Sequence, residues 1–219
     1  MTTRPATLVL VAGTGTEVGK TWWTAAVVRR LRGAGVAASV RKPVQSNPPG
    51  APTDADVLAA ASGQDPASVC RPDRTYPLAW APPMAADRLG LPPWTVADLA
   101  AELRFPEATE VGLVEGAGGA RSPIAADGDT VDLAGLIEPD LVVIVADAGL
   151  GTINAVRLTA EVLGAWPIVV ALNHYTGEPL HAANRHHLVA CAGLDVVTAP
   201  DQLAARLDAR SGGRGPRPG

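Results

Sequence analysis

The run Thr7-Leu-Val-Leu-Val-Ala-Gly13-Thr-Gly-Thr-Glu-Val-Gly19-Lys20-Thr21 limits what this chain can fold into more than any other stretch. Its first half is a continuous apolar run with the length and β-branched content of a strand covered on both faces. The glycines after it permit a tight turn, and a helical pattern begins at Thr21 and runs to Arg32. A strand, a Gly-rich turn and a helix start in that order point backbone N–H groups and the positive end of a helix dipole at one spot, which makes a seat for phosphate. In such a seat Lys20 reaches the β- and γ-phosphates of a nucleotide, and the Thr21 hydroxyl is a Mg²⁺ ligand. Five residues separate Gly13 from Gly19, one more than the common form of the loop has.

Similar short apolar runs recur at 36–40, 111–114, 141–146, 168–172 and 195–198. Helical patterns are expected at 21–32, 54–61, 96–103, 132–137, 152–163, 181–191 and 201–210, with Thr95 as an N-cap and Gly33 and Gly164 at helix ends. Strands alternating with helices predict an α/β fold: a single-domain, three-layer sandwich in which helices flank a mostly parallel central sheet. The expected domain covers residues 1–210, with a disordered tail of Gly, Pro and Arg over 211–219. The segment 71–93 is rich in proline, which argues against a helix or a central strand and suggests an extended surface excursion, either bordering a site or merely connecting.

Composition removes several function classes. A formal net charge of -4 gives no basic face for nucleic acid. The longest apolar run, 141–146, is too short for a membrane span, and the N-terminus lacks the apolar stretch of a signal peptide, so a cytoplasmic protein is expected. Cys70 and Cys191 stand alone, with no CxxC pair, and are expected to be buried or inert. His181, His186 and His187 fall on a surface helix without a ligand cluster, so no metal role is assigned to them.

Other chemistry-bearing residues lie just after predicted strands, where open α/β sheets bind ligands. Glu115 ends an apolar strand and is followed by glycines that let phosphate approach the backbone; with Asp54 it offers the oxygen ligands that Mg²⁺ prefers. Asp54 could instead be a helix N-cap, and Asp56 is a nearby competitor. The chain has only two lysines, Lys20 and Lys42, among 18 basic residues. Lysine at those two places, in a chain that otherwise uses arginine, suggests positions where a compact ammonium is needed.

The loop Gly-Thr-Gly-Thr-Glu-Val-Gly-Lys-Thr resembles the signature of the dethiobiotin synthetases, a P-loop NTPase family. The resemblance continues at Lys42-Pro-Val-Gln-Ser46, Thr53-Asp54-Ala55, Val114-Glu115-Gly116-Ala117-Gly118-Gly119 and Gly149-Leu-Gly151-Thr152-Ile-Asn154, in the family's order. Ala120-Arg121 departs from the apolar residues expected after Gly119. The resemblance implies an ATP site made of Thr16, Glu17, Val18, Gly19, Lys20, Thr21, Trp22, Asp54, Glu115, Gly116, Ala117, Gly118, Asn173 and Pro200. Asn173 would meet the base; no Asp stands two residues after His174, so a guanine-reading motif is unsupported.

By the same resemblance Thr16, Lys42, Ser46, Gly151, Thr152 and Asn154 would meet the substrate, and Thr21, Asp54 and Glu115 would hold Mg²⁺. Lys20 and Lys42 are the implied catalytic pair. The implied reaction takes 7,8-diaminononanoate, CO₂ or bicarbonate, and ATP, and forms a ureido ring through a carbamate and a carbamic-phosphoric anhydride. A homodimer is implied, with Gly151–Asn154 serving a site across the interface. A switch or partitioning ATPase of the same superfamily is the alternative, but its additional lysine is absent from Gly13-Thr14-Gly15 and no basic amphipathic terminal helix is evident. An amidotransferase would need a glutaminase domain for which the chain has little room, and a degenerate member without turnover would not need every charged position filled.

Overall fold

A computed structural model describes residues 4–212 of the chain. In order the elements are β1 (Thr7–Gly13), α1 (Lys20–Gly33), β2 (Ala38–Arg41), β3 (Gln45–Ser46), α2 (Asp54–Ser62), α3 (Pro66–Val69), β4 (Thr75–Tyr76), α4 (Pro82–Arg88), α5 (Val96–Glu102) and β5 (Val111–Glu115). They continue with β6 (Pro123–Ala125), β7 (Gly128–Asp129), α6 (Thr130–Ile137), β8 (Leu141–Asp147), α7 (Thr152–Val162), β9 (Ile168–Asn173), α8 (Pro179–Ala190), β10 (Asp195–Val197) and α9 (Pro200–Gly212). Six strands form a parallel sheet in the order β10-β9-β8-β1-β5-β2, which includes every strand expected from the apolar runs.

Both faces of this sheet are covered, which is why its strands read as unbroken apolar runs rather than alternating ones. Val9 and Val11 of β1 and Val143 and Val145 of β8 point to one face, where Trp23, Val27 and Leu31 of α1, Leu58 of α2 and Leu203 and Leu207 of α9 cover them. Leu8 and Leu10 of β1 and Val142 and Ile144 of β8 point to the other, beneath Ala85 of α4, Leu99 of α5 and Leu133 of α6. Val156 of α7 and Leu188 of α8 close the β9–β10 end. Each of the larger side chains contributes about 1.5–3 kcal/mol by leaving water.

The proline-rich segment departs from its expectation. Pro82 occupies the first turn of α4, Pro72 opens a short 3₁₀ turn at Pro72–Arg74, and β4 pairs in parallel with β3. Proline at a helix start surrenders an N–H that has no helical partner anyway, so it begins these helices instead of breaking them. Capping boxes do the same work for α2, α5 and α6, at Thr53/Asp56, Thr95/Asp98 and Asp129/Asp132. Cys70 is buried as expected, whereas Cys191, just after α8, is exposed because that helix turns only one narrow face inward. Helix α9 carries on through Ser211 and Gly212, two residues into the expected tail; residues 213–219 lie outside the described residues. Among the described residues no helix is long and apolar enough to cross a membrane.

The parallel arrangement sends all six strands' carboxyl ends to one edge, and β1 lies where the chain's winding reverses: the chain runs from β1 out to the edge strand β2, returns to β5 between them, and then crosses β1 to β8, β9 and β10. That edge is where the loops bearing Gly13–Lys20, Lys42, Glu115, Asp147 and Asn173 meet. The sheet tolerates little extra volume near the start of β5. A Cβ on Gly112, in β5, would lie 2.5 Å from Pro5 Cγ and 2.8 Å from the Phe105 ring. We expect Gly112→Ala to destabilise the protein by about 1–3 kcal/mol, seen as a lower urea midpoint with an unchanged slope.

Candidate active site

The turn after β1 folds back on the side chain that follows it. A Cβ on Gly13 would stand 2.9 Å from Lys20 Nζ, and one on Gly19 would stand 2.1 Å from Asn173 Nδ2, so both positions need a bare backbone. Gly19 has φ of 92° and Glu17 has φ of 60°; these left-handed residues turn the one-residue-longer loop into the first turn of α1. Lys20 Nζ donates to the Gly15 carbonyl at 2.8 Å and so arches over the turn.

Three segments distant in sequence deliver a compact charge cluster beside it. Lys42, just past β2, donates from Nζ to Glu115 Oε1 at 2.8 Å and to the Gly116 carbonyl at 3.1 Å, and pairs with Asp54 Oδ2 at 2.8 Å. The Thr21 hydroxyl lies 2.8 Å from both Asp54 Oδ1 and Glu115 Oε1. Lys42 is 2% exposed and Glu115 is completely buried. Burial opposes the charged form of Lys42, but Glu115 and Asp54 outweigh it and hold the ammonium above its ordinary range. Burial likewise opposes ionised Asp54, and the neighbouring ammonium wins again, holding its carboxyl below the usual range. For Lys20 the balance goes the other way: desolvation, then repulsion from Lys42, bring it down to about 8 against the pull of Glu115 and Asp54.

These residues fit a hard divalent cation. Thr21 has one hydroxyl proton for two carboxylate oxygens, and Glu115 Oε2 is buried without a hydrogen-bond partner. That surplus of oxygen acceptors, two carboxylates and a hydroxyl beside a phosphate turn, suits Mg²⁺, which takes few protein ligands and completes its shell with phosphate and water. Among the described residues no group of three or more His, Cys, Asp and Glu could cage a metal by itself. Asp56, the competitor to Asp54, is exposed and engaged in the α2 capping box with Thr53, so Thr53 and not Asp54 is the N-cap.

A cleft of about 560 Å³ opens over the cluster. Of the residues singled out in the sequence, Thr16, Glu17, Gly19, Lys20, Thr21, Lys42, Ser46, Asp54, Ala117 and Gly118 line it. Glu115 and Gly116 are buried beneath its floor. The Val18 carbonyl accepts from Asn173 Nδ2 at 3.1 Å, which ties the end of β9 to the turn. Trp22 is exposed on α1, and Pro200 is buried at the start of α9. Gly151, Thr152 and Asn154 are not brought to this cleft: they begin α7, and Asn154 lines a separate cleft with Arg157 and Cys191. Arg121, exposed on the chain that leads into β6, pairs with Asp129 at 3.1 Å.

Sequence reasoning missed three contributors. Gln45 accepts the Ala55 N–H and donates to Thr75 Oγ1, so it fixes the start of α2, and Asp54 with it, against the Lys42 strand. Ser122 Oγ accepts the Gly119 N–H and lines the cleft. Trp80, whose carbonyl accepts from Ser46 Oγ, forms part of the opposite wall. Proximity of Gln45 and Ser122 to the two recognised motifs was their only signal; Trp80 had none.

The family model described as AAA domain matches residues 7–200. Among curated proteins, the chain is 37% identical to the ATP-dependent dethiobiotin synthetase BioD of Rhodococcus jostii, covering 94% of this chain and 91% of that one. It is 40% identical to the protein of the same name from Streptomyces avermitilis, over 73% and 72%, and 36% identical to that from Haloferax mediterranei, over 90% and 84%. Solved structures give the fold alone. Chloroplast FtsY from Physcomitrella patens superposes with a TM-score of 0.52 at 15% identity over 94% of this chain, and a duf1611 family protein from Anabaena variabilis with 0.52 at 19% over 95%. The chain spans 66% and 57% of those two structures.

With a nucleotide phosphate seated in the turn, the lowered Lys20 would set the pH dependence of its binding. Above about pH 8 the free protein loses that proton, and a phosphate in the turn calls it back, so binding takes up a proton and weakens as pH rises. Calorimetry of Mg-ATP at pH 9 in buffers of different ionisation enthalpy should show uptake approaching one proton, with affinity falling about tenfold per pH unit above the Lys20 value. Binding that is flat between pH 7 and pH 9.5 would contradict this.

Proposed function

This chain belongs to the ATP-dependent dethiobiotin synthetase family, and on that premise we propose that it carboxylates 7,8-diaminononanoate with CO₂ or bicarbonate and closes the ureido ring at the cost of ATP. The observation that carries this reading is the convergence on one cleft of two ammonium groups, two carboxylates and the Thr21 hydroxyl, beside a phosphate turn. Activation of a carbamate by phosphoryl transfer needs positioning and charge neutralisation rather than a protein nucleophile.

Lys20 holds the β- and γ-phosphates over the Gly13–Gly19 turn. Lys42 reaches up from the cluster to the carbamate and the phosphoryl group being transferred, and Glu115 and Asp54 keep it protonated for that task. Thr16 and Ser46, on the lining of the cleft, orient the diamine. Thr21, Asp54 and Glu115 hold Mg²⁺, which when bound neutralises phosphate charge. The carbamate oxygen takes the γ-phosphoryl group as ADP leaves; the second amine then attacks the carbonyl carbon of the mixed anhydride, the ring closes, and phosphate leaves carrying the amine's proton.

Asn173 lies at the base end of the ATP site, beside the turn. Gly151, Thr152 and Asn154 serve the substrate of a second copy in a homodimer. Two features support this: the Thr152 hydroxyl is buried without a partner at the α7 start, and Leu150 and Leu158 beside it are exposed. A cytoplasmic location is part of the same reading; the formal net charge is -4, and no helix among the described residues is long and apolar enough to cross a membrane.

Phosphate release from Mg-ATP should depend on both the diamine and bicarbonate, with a product of dethiobiotin mass; release indifferent to both would replace this reading with that of a simple ATPase. Lys42→Ala should lower kcat by about 100- to 1000-fold, the loss expected for a charge aimed at the transition state. Because that variant also strands two carboxylates, Lys42→Arg is the companion: it keeps the charge, and circular dichroism with retained Mg-ATP binding separates lost chemistry from lost folding. Light scattering should give the mass of two chains, and a monomer would remove the shared-site assignment of Gly151–Asn154.

A further inference from the structure

Arg41 and Lys42 are consecutive residues at the end of the edge strand β2, yet their side chains go to different places. Lys42 sends its ammonium into the charge cluster of the active site. Arg41 lines a second cleft, of about 280 Å³, between the end of β2, the end of α3 and the end of α5. Its side chain is buried, with the residue only 7% exposed. Nε donates to the Arg104 carbonyl, Nη1 to the Val40 carbonyl, and the guanidinium lies 4.9 Å from the centre of the Phe105 ring. None of these partners is an anion, whereas a buried guanidinium is ordinarily matched by one. Among the described residues no carboxylate pairs with Arg41, and its Nη2 has no hydrogen-bond partner. Desolvation alone brings the group down to about 10, so it keeps its charge at neutral pH.

The carboxylate on the cleft wall is already taken. Glu102 is held by the Arg74 fork at 2.9 and 2.6 Å and approached by Arg71 at 3.7 Å, while Asp73 takes the Arg71 fork at 2.9 Å. Arg104, exposed on the rim of the same cleft, has no carboxylate partner among the described residues. Four guanidinium groups therefore share two carboxylates here, and the unmatched pair, Arg41 and Arg104, both face the cleft. Its other walls include Pro43, Val69 and Leu103, which are apolar.

We propose that this cleft is a binding site for a small organic carboxylate, whose head takes the free edge of Arg41 and whose aliphatic body lies against Pro43 and Leu103. A guanidinium edge matches a carboxylate in shape as well as charge. The volume is at the small end for a ligand pocket and excludes a nucleotide. Glu102 on the wall repels a dianion more than a monoanion, and the apolar walls give a bare phosphate nothing to bury. The site is independent of the reaction performed in the main cleft, although Lys42 forms part of both walls.

The test is calorimetry on the full chain with Mg²⁺ and a non-hydrolysable ATP analogue, which keeps the phosphate turn occupied. The probes are hexanoate, its neutral counterpart hexanamide, and inorganic phosphate. Hexanoate should bind at one site per chain, about tenfold or more tighter than either of the others, the scale of a charge-assisted hydrogen bond. Arg41→Gln, with folding checked by circular dichroism, should remove the advantage of hexanoate over hexanamide. Arg104→Gln, at the rim, should weaken hexanoate by about threefold. Arg88→Gln, an exposed position on α4 outside the cleft, should change nothing. Should Arg41→Gln fail to fold, the comparison of hexanoate with hexanamide on the natural protein still decides: equal binding overturns the site. Hexanoate binding that a folded Arg41→Gln leaves unchanged, or that 7,8-diaminononanoate displaces, belongs to another place and overturns it as well. Phosphate binding as tightly as hexanoate overturns the assignment to a carboxylate.

Discussion

The buried ammonium of Lys42 is the constraint on which the site depends. Two carboxylates, Asp54 from the start of α2 and Glu115 from the end of β5, converge within 2.8 Å of it. Without that cation the two would repel at the base of a cleft from which Glu115 is wholly excluded from water. With it, they are aimed at the same hydroxyl, Thr21, that opens the helix of the phosphate turn. One interaction therefore couples three strand-end loops, and it does so with groups that a nucleotide and a divalent cation would also engage.

The sheet is what makes this convergence possible. Parallel strands deliver every carboxyl end to one edge, and β1 lies between β5 and β8, so the phosphate turn sits between the Glu115 loop on one side and the Asp147 loop on the other. Close packing then excludes alternatives: Gly13 and Gly19 are bare because Lys20 and Asn173 occupy the space a side chain would need. The same packing ties Asn173 to the Val18 carbonyl, so the end of β9 and the phosphate turn are one mechanical unit.

Much of this was legible in the sequence for a physical reason. Strands covered on both faces must be continuously apolar, and so 7–11, 111–114, 141–146 and 168–172 stood out, with the chemistry placed immediately after them. Asp54 and Asp56 were harder to separate, because both suit a helix start; the fold assigns Asp56 to the cap and Asp54 to the cluster. Pro82 was misleading, since proline marks a helix beginning as readily as a break. Trp80 and Gln45 were silent because their roles come from contacts with segments 34 and 10 residues away, which no local pattern encodes.

The sequence by itself determined the α/β class, the phosphate turn, the order of the motifs and the identity of nearly every charged group that reaches the cleft. These are local properties: hydrophobic period, glycine where the chain must turn tightly, and residue type at a strand end. The tertiary structure alone decided which of those groups touch. Lys42, though conspicuous as a rare lysine, could be known as the partner of Asp54 and Glu115 only once the strand order brought β2 beside β5. The absence of Gly151, Thr152 and Asn154 from the cleft likewise needed the position of α7. Distances between segments far apart in sequence follow from packing, and packing is a property of the whole chain.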